Sequence, residues 1–216
     1  MQKITDMTKI GALFDLDGVL IDSEPLYTEF WSGMDREYHS GIDDFAASIK
    51  GTTLTHILSF FPSDVRGEIT CRLHEYEDTI HYPVYPGVME FLAHLRQENI
   101  PTAIVTSSDD VKMESLYKQH PGFDRMFDTV ITASQIAHSK PDPEGYLLAA
   151  KSIGCDPRDC FVFEDSLQGL EAGRRAGAKV VALATTNPID VITPLADIVI
   201  GGFAGIDIDT LKDVIS

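Results

Sequence analysis

Six short apolar runs, most of them stopping abruptly at polar or acidic residues, constrain this chain more than any other feature. Ile10-Gly-Ala-Leu-Phe14 runs into Asp15, Thr102-Ala-Ile-Val105 into Thr106-Ser107-Ser108, and Cys160-Phe-Val-Phe163 into Glu164-Asp165. Lys179–Leu183, Asp197–Ile200 and the weaker Thr129–Thr132 complete the set. They are too short for helices. Several are β-branched-rich with little alternation, the pattern of strands buried on both faces. Helical text lies between them, at Gly87–Gln97, Val111–Gln119, Pro143–Ile153 and Leu167–Ala176. Strand and helix in alternation predict an α/β fold: a parallel sheet with helices on both sides.

One interval breaks the rhythm. From Pro25 to Tyr85 no convincing strand occurs, only amphipathic helical text such as Val65–Ile80. Asp22-Ser23-Glu24-Pro25 and Tyr82-Pro83-Val84-Tyr85-Pro86-Gly87 bracket it with the Pro and Gly of linkers. The expected organisation is a core of residues 1–22 and 86–216 with an inserted α-helical domain at 23–85.

The chain has 216 residues and a formal net charge of −17. That charge repels phosphodiester backbones and anionic membrane surfaces, so neither nucleic acid nor membrane is expected as a partner. Cys71, Cys155 and Cys160 form no C-x-x-C pair, and an odd count fits a stapled secreted scaffold poorly. They read as inert small core residues. The N-terminal Met1–Asp6 lacks the apolar core of a signal peptide, and no apolar run approaches the roughly 18 residues of a membrane span. A cytoplasmic monomer is expected.

Ligands of an open parallel sheet gather outside the carboxyl ends of its strands. The residues standing there are Asp15, Asp17, Thr106, Ser107, Glu164 and Asp165, with Lys140-Pro-Asp-Pro143 on a loop between them. Four crowded acids raise one another's pKa unless a cation intervenes. A hard divalent cation, Mg²⁺ rather than zinc, suits oxygen ligands. The lysine and hydroxyls are then donors for phosphate oxygens, and the chemistry is phosphoryl transfer. In Asp15-Leu16-Asp17 the two carboxylates, at i and i+2 of an extended chain, face one substrate. One can be a nucleophile and the other an acid and base.

Plainer readings exist for the same residues. Glu164-Asp165 also suits a helix N-terminus, where Ser166 is the candidate N-cap. Ser108 and Asp110 face substrate or cap the helix that begins there. Gly169, Gly173 and Gly177 read as close helix packing with a C-cap. Trp31 and Tyr27 read as core of the helical insert, and the seven histidines show no ligand spacing.

Asp15-Leu-Asp-Gly-Val-Leu20, Val105-Thr-Ser-Ser108, Lys140-Pro-Asp-Pro143 and Phe163-Glu-Asp-Ser-Leu-Gln-Gly169 resemble, in order, the four motifs of the haloacid dehalogenase superfamily. The whole chain is most similar to the β-phosphoglucomutase-like phosphatases with a helical (C1-type) cap. The resemblance implies a Rossmann-like core and a cap, with Asp15 as nucleophile and metal ligand. It implies Asp17 as acid and base, with its carbonyl on the metal. Thr106, Ser107 and Ser108 would hold phosphate, Lys140 would screen Asp15, and Asp165 would ligate Mg²⁺, with Glu164 either a ligand or a partner supporting the ligands. Glu24 and Asp22 follow the first motif closely, and each reads as a substrate contact or a hinge-side hydrogen bond.

Two departures bear on substrate. Where mutases of this group carry a histidine on the first cap helix, Tyr27 stands. Their Gly-x-x-Arg element is Lys50-Gly51-Thr52-Thr53, with Lys50 as the candidate replacement cation. The favoured reading is a Mg²⁺-dependent phosphatase of a small phosphorylated metabolite, a sugar phosphate, acting through an aspartyl-phosphate. A phosphosugar mutase is the alternative, and a non-enzymatic phospho-acceptor module ranks third.

Overall fold

The structure, a computed structural model, describes residues 10–215. The reading of Met1–Asp6, the first nine residues assigned to the core, and Ser216 lie outside the described residues. All six apolar runs are strands: β1 (Gly11–Phe14), β2 (Thr102–Val105), β3 (Thr129–Ile131), β4 (Cys160–Glu164), β5 (Lys179–Leu183) and β6 (Ile198–Ile200). They form one sheet in the order β3-β2-β1-β4-β5-β6, every neighbouring pair parallel. Every residue of β1, β2 and β4 is buried, whereas the edge strands β3 and β6 are half-buried. The central strands therefore gave the clearest apolar runs.

The chain lays down β2 and β3 on one side of β1, then returns to build β4–β6 on the other. In such a sheet the crevice opens where the order reverses, outside the ends of β1 and β4. Phe14 at the end of β1 faces Ile104 of β2 and Phe163 of β4 in register. The Phe14 and Phe163 rings stack at 4.6 Å, and Phe91, Phe127 and Phe203 pack around Phe14. Burying side chains of this size contributes roughly 1.5–3 kcal/mol each.

From Glu24 to Glu77 the chain is helical: α1 (Glu24–Tyr38), α2 (Phe45–Ser48), α3 (Leu54–Ser59) and α4 (Arg66–Glu77). These helices carry a hydrophobic cluster of their own, including Trp31, Met34, Phe45, Ile57, Phe61 and Leu73. Their two connectors run side by side. Asp22 N donates to Pro83 O at 2.8 Å, Tyr85 N to Leu20 O at 3.0 Å, and Ile21 bridges Val84 antiparallel. Tyr85 Oη donates to Asp22 Oδ1 at 3.0 Å, so Asp22 serves the connector.

The remaining helices are α5 (Val88–Gln97), α6 (Asp110–Gln119), α7 (Glu144–Ser152), α8 (Leu167–Ala176), α9 (Ile189–Ile192) and α10 (Ile208–Ile215). Asp109 caps α6, accepting from Lys112 N at 3.0 Å, where the sequence pointed to Ser108 or Asp110. Ser166 caps α8 as expected, and Gly177 ends it at φ 81°. Cys155 and Cys160 are buried, but Cys71 is exposed, so the core reading fails for Cys71. It stands on the outer face of α4, where its burial would gain nothing for the cluster beneath.

Gly173 lets α8 approach β4. A Cβ there would lie 2.9 Å from Val162 Cγ1 and 3.2 Å from Val180 Cγ2. Gly173→Val is expected to overpack this contact at about 1–3 kcal/mol, more than any helix-propensity gain. Thermal melting would register a drop of several degrees; an unchanged Tm would mean that α8 has room to spare.

Candidate active site

Asp15 leaves β1 with its N–H still on Phe163 O at 3.0 Å, so the ladder carries it to the sheet edge. The chain then curls: Leu20 and Ile21 both donate to Leu16 O. Gly18 takes φ 74°, and any Cβ at that position would collide with the Asp165 carboxylate. Glycine is required there twice over, for backbone shape and for space. On the neighbouring strand, Thr106 Oγ1 accepts from Ser108 N at 3.0 Å. Ser107 Oγ donates to Gly51 O at 2.7 Å, and Ser108 Oγ to Asp17 Oδ2 at 3.0 Å.

Lys140 is buried and bridges two acids, donating to Asp15 Oδ1 at 2.8 Å and Glu164 Oε1 at 2.6 Å. A third bond goes to Val105 O at 3.2 Å. Burial opposes its charge, and the Asp15 and Glu164 carboxylates reverse this and hold it firmly protonated. Asp15 is pushed up to about 7, by burial first and the Glu164 charge second, with Lys140 opposing both.

Glu164, expected as a ligand or as its support, is fully enclosed. Lys140 and the Tyr146 hydroxyl donate to Oε1, and Asp165 N, Ser166 N and Ser166 Oγ donate to Oε2. Five protein donors leave it little capacity for a metal, and Gly169 lies so close that a Cβ would overlap its carboxylate. Of the two roles expected for Glu164, this saturation favours support over direct ligation.

Asp165 is the opposite case. Both its carboxylate oxygens are buried with no hydrogen-bond partner, as is the Thr186 hydroxyl nearby. Burial, then the charges of Glu164, Asp15 and Glu24, raise its pKa well above the carboxylate range. Ligand atoms of Asp15, Glu164 and Asp165 lie within 4.8 Å of one another. Orphaned buried carboxylate oxygens in an all-oxygen set fit a hard divalent cation.

The expectation of one lysine among four acids was one short. Lys112, on the first turn of α6 and buried, pairs with Asp17 Oδ1 at 2.5 Å. Ser23 Oγ donates to the same carboxylate. Burial alone would raise the Asp17 pKa; the Lys112 charge and the bonds from Lys112, Ser23 and Ser108 outweigh it and hold the group below its usual value. A lysine at the positive end of a helix is unfavourable, and that was the signal available in Asp109-Asp-Val-Lys112.

Asp15, Asp17, Thr106, Ser107, Ser108, Asp165, Glu24 and Lys50 line one cleft between the sheet edge and α1–α4. Lys140 and Glu164 stand behind it. Lys50 is not a free cation, being paired with Glu24 Oε2 at 3.0 Å. Trp31 and Tyr27 belong to the packing of the helices and also face the cleft. Tyr27 Oη donates to Glu77 Oε1 at 2.9 Å. Where a histidine role was not expected, His74 of α4 pairs with Asp109 at 3.2 Å, tying α4 to α6.

Three comparisons bear on this arrangement. The model of the family described as haloacid dehalogenase-like hydrolase matches residues 11–177. Hexitol phosphatase A of Escherichia coli (strain K12) is 34% identical over 179 residues, 80% of this chain and 82% of that protein. Validoxylamine A 7'-phosphate phosphatase of Streptomyces hygroscopicus subsp. limoneus is 33% identical over 190 residues, 84% and 88% of the two chains. Among solved structures, β-phosphoglucomutase from Clostridium difficile superposes with a TM-score of 0.80 at 22% identity, covering 96% and 97%, a likeness of fold.

Glu77 gives this site a measurable pH signature. Burial, opposed by Lys112 and Tyr27, pushes its pKa up to about 7, and its Oε2 has no partner. A raised carboxyl favours the folded state while protonated, and that contribution is lost as pH climbs from the unfolded value through about 7. Glu77→Gln should therefore gain stability over wild type at pH 8 relative to pH 5, by roughly 1–3 kcal/mol. Denaturant melts at the two pH values would detect this, and a constant difference would contradict it.

Proposed function

The chain belongs to the haloacid dehalogenase-like hydrolases and is a phosphatase, and on that premise we propose that it hydrolyses a small phosphorylated metabolite of the sugar-phosphate class through an aspartyl-phosphate on Asp15, with Mg²⁺ beside it. One observation carries this reading: the Asp15 carboxylate, paired to buried Lys140, faces the same cleft as Asp17, Thr106 and the orphaned oxygens of Asp165. The names of the two curated relatives favour a phosphorylated polyol or cyclitol as substrate.

In the proposed reaction an Asp15 oxygen attacks phosphorus and the bond to the leaving oxygen breaks. Asp17 supplies that oxygen with a proton, acquired as the incoming phosphate adds negative charge and raises its proton affinity. Water then attacks the phospho-Asp15, giving its proton to Asp17, and the Asp15 carboxylate leaves with inorganic phosphate released. Thr106 Oγ1 and the Ser107 N–H donate to phosphate oxygens, and Lys140 offsets charge on Asp15. Such positioning and electrostatics carry most of phosphoryl-transfer catalysis. Mg²⁺, when bound, would be held by Asp15, Asp165 and the Asp17 carbonyl and would offset charge on the phosphate oxygens. Residues 23–85 act as a cap in this proposal, closing over the cleft and excluding water.

A mutase is less well supported. Thr53, where an arginine would hold a second phosphate, caps α3 and donates its N–H to Ser139 Oγ at 3.1 Å. Lys50 is engaged with Glu24.

Phosphate release from a panel of phosphorylated sugars and polyols tests the reading. Asp15→Asn should reduce turnover by more than about 10³-fold with little change in Tm; retained turnover would reject Asp15 as nucleophile. Mg²⁺ should raise the Tm of wild type, since a cation bound only by the folded state stabilises it. Asp165→Ala should erase that shift, and equal shifts in the two proteins would move the cation elsewhere.

A further inference from the structure

We propose that Lys112 is a positioning residue that holds Asp17 from the core side and so commits the phosphoryl group to water. The proposal rests on the phosphatase reading above and concerns the second half of that reaction.

Three donors fix the Asp17 carboxylate: Lys112 Nζ on α6, Ser108 Oγ on the loop leading into α6, and Ser23 Oγ on the connector before α1. None of them lies within α1–α4, and Lys112 and Ser108 lie wholly on the sheet side, while Ser23 is the first residue of the 23–85 segment, at its hinge. Tyr27, in the first turn of α1, makes a different contact. Its ring face lies 4.1 Å from Lys112 Nζ, while its hydroxyl donates to Glu77 and sits 3.4 Å from the Tyr82 hydroxyl. The hydroxyl is therefore turned away from Asp17. Tyr27 covers the ammonium without touching the carboxylate.

The consequence concerns timing. A base held in place by an element of the helical segment is competent only while that segment is closed over an acceptor sugar. Lys112 travels with the sheet, so Asp17 keeps its ammonium partner and its orientation when α1–α4 move. Water reaching the phospho-enzyme in the open state then meets a base already in position. Asp15 leaves as the carboxylate, the new P–O bond comes from water, and its proton passes to Asp17. An enzyme built this way loses its phosphoryl group to solvent before a sugar acceptor can return. Orienting a general base in this way contributes a share of the about 10²–10⁴-fold that such a base supplies.

Rapid-quench kinetics on p-nitrophenyl phosphate with saturating Mg²⁺ separates the two half-reactions, because the aryl oxide leaves with little need of a proton. Lys112→Met should slow steady-state turnover by about 10²-fold while a burst near one p-nitrophenolate per enzyme appears, with phospho-enzyme accumulating. Lys112→Arg, which keeps the cation, should recover much of the rate, so the proposal stays testable if Lys112→Met folds poorly. Tyr27→Phe should show neither the burst nor the accumulation of phospho-enzyme. An unchanged rate in Lys112→Met, or a slow rate with no burst, would overturn the proposal. A large loss in Tyr27→Phe would instead place the control of Asp17 in the helical segment. Failure of the phosphatase reading shows separately, as no phosphate release by the wild-type protein, and would remove the premise.

Discussion

Everything at this sheet edge depends on the buried contact of Lys140 with two carboxylates. An ammonium with 5% side-chain exposure, placed 2.8 Å from Asp15 and 2.6 Å from Glu164, sits where water cannot screen it. Desolvating three charges is expensive, and the pairing repays it only when the remaining lone pairs are also satisfied. Glu164 meets that condition through five donors, and Lys140 adds the Val105 carbonyl as a third acceptor. The arrangement ties the ends of β1, β2 and β4 to Lys140, 24 residues before Glu164. It is less a device for stability than a way of fixing the relative positions of strand ends.

That tie explains the glycines as well. Gly18 and Gly169 leave room for the Asp165 and Glu164 carboxylates, respectively, where a Cβ would overlap them. Two acids crowded against bare backbone cannot be reproduced with side chains in those positions. The stacking of Phe14 on Phe163 beneath them makes the floor rigid. A site that must position reacting atoms to within a fraction of an ångström gains from such a floor.

The parts legible in sequence were those governed by local pattern. Strands buried on both faces announced themselves as apolar runs, and the acids at their ends followed from strand geometry alone. The Ser166 cap and the packing role of Gly173 were equally readable, since each rests on contacts within one or two neighbouring elements. The pairing of Lys112 with Asp17 was not, because it spans 95 residues and depends on where α6 lies against β1. The same holds for His74 with Asp109 and for Lys50 with Glu24, both set by how the helical segment rests on the sheet. For Glu164, next to the expected ligand Asp165, the sequence left ligand and support open, whereas the structure surrounds Glu164 with donors and leaves the Asp165 carboxylate without a hydrogen bond. Only the direction in which each side chain leaves the end of β4 separates them.

In the proposed reaction, charge at the site would favour one order of ligand entry. Asp15, Asp17, Glu164 and Asp165 face two lysines, so two negative charges stay uncompensated when all four acids are ionised. A phosphate dianion approaching that site is repelled unless protons or a cation arrive first. Asp15 and Asp165 both have raised proton affinity, which shows that burial already penalises the full charge. Protons would silence the nucleophile that the proposed reaction requires, whereas a divalent cation would neutralise the excess and leave Asp15 ionised. The Asp165 oxygens, with only the Thr186 hydroxyl beside them, are the ones a cation would occupy. Metal before phosphate is thus the order the electrostatics favour. In the proposed reaction Lys112, already paired with Asp17, would contribute to neither, so the acid/base would be held in place without weakening the anion site.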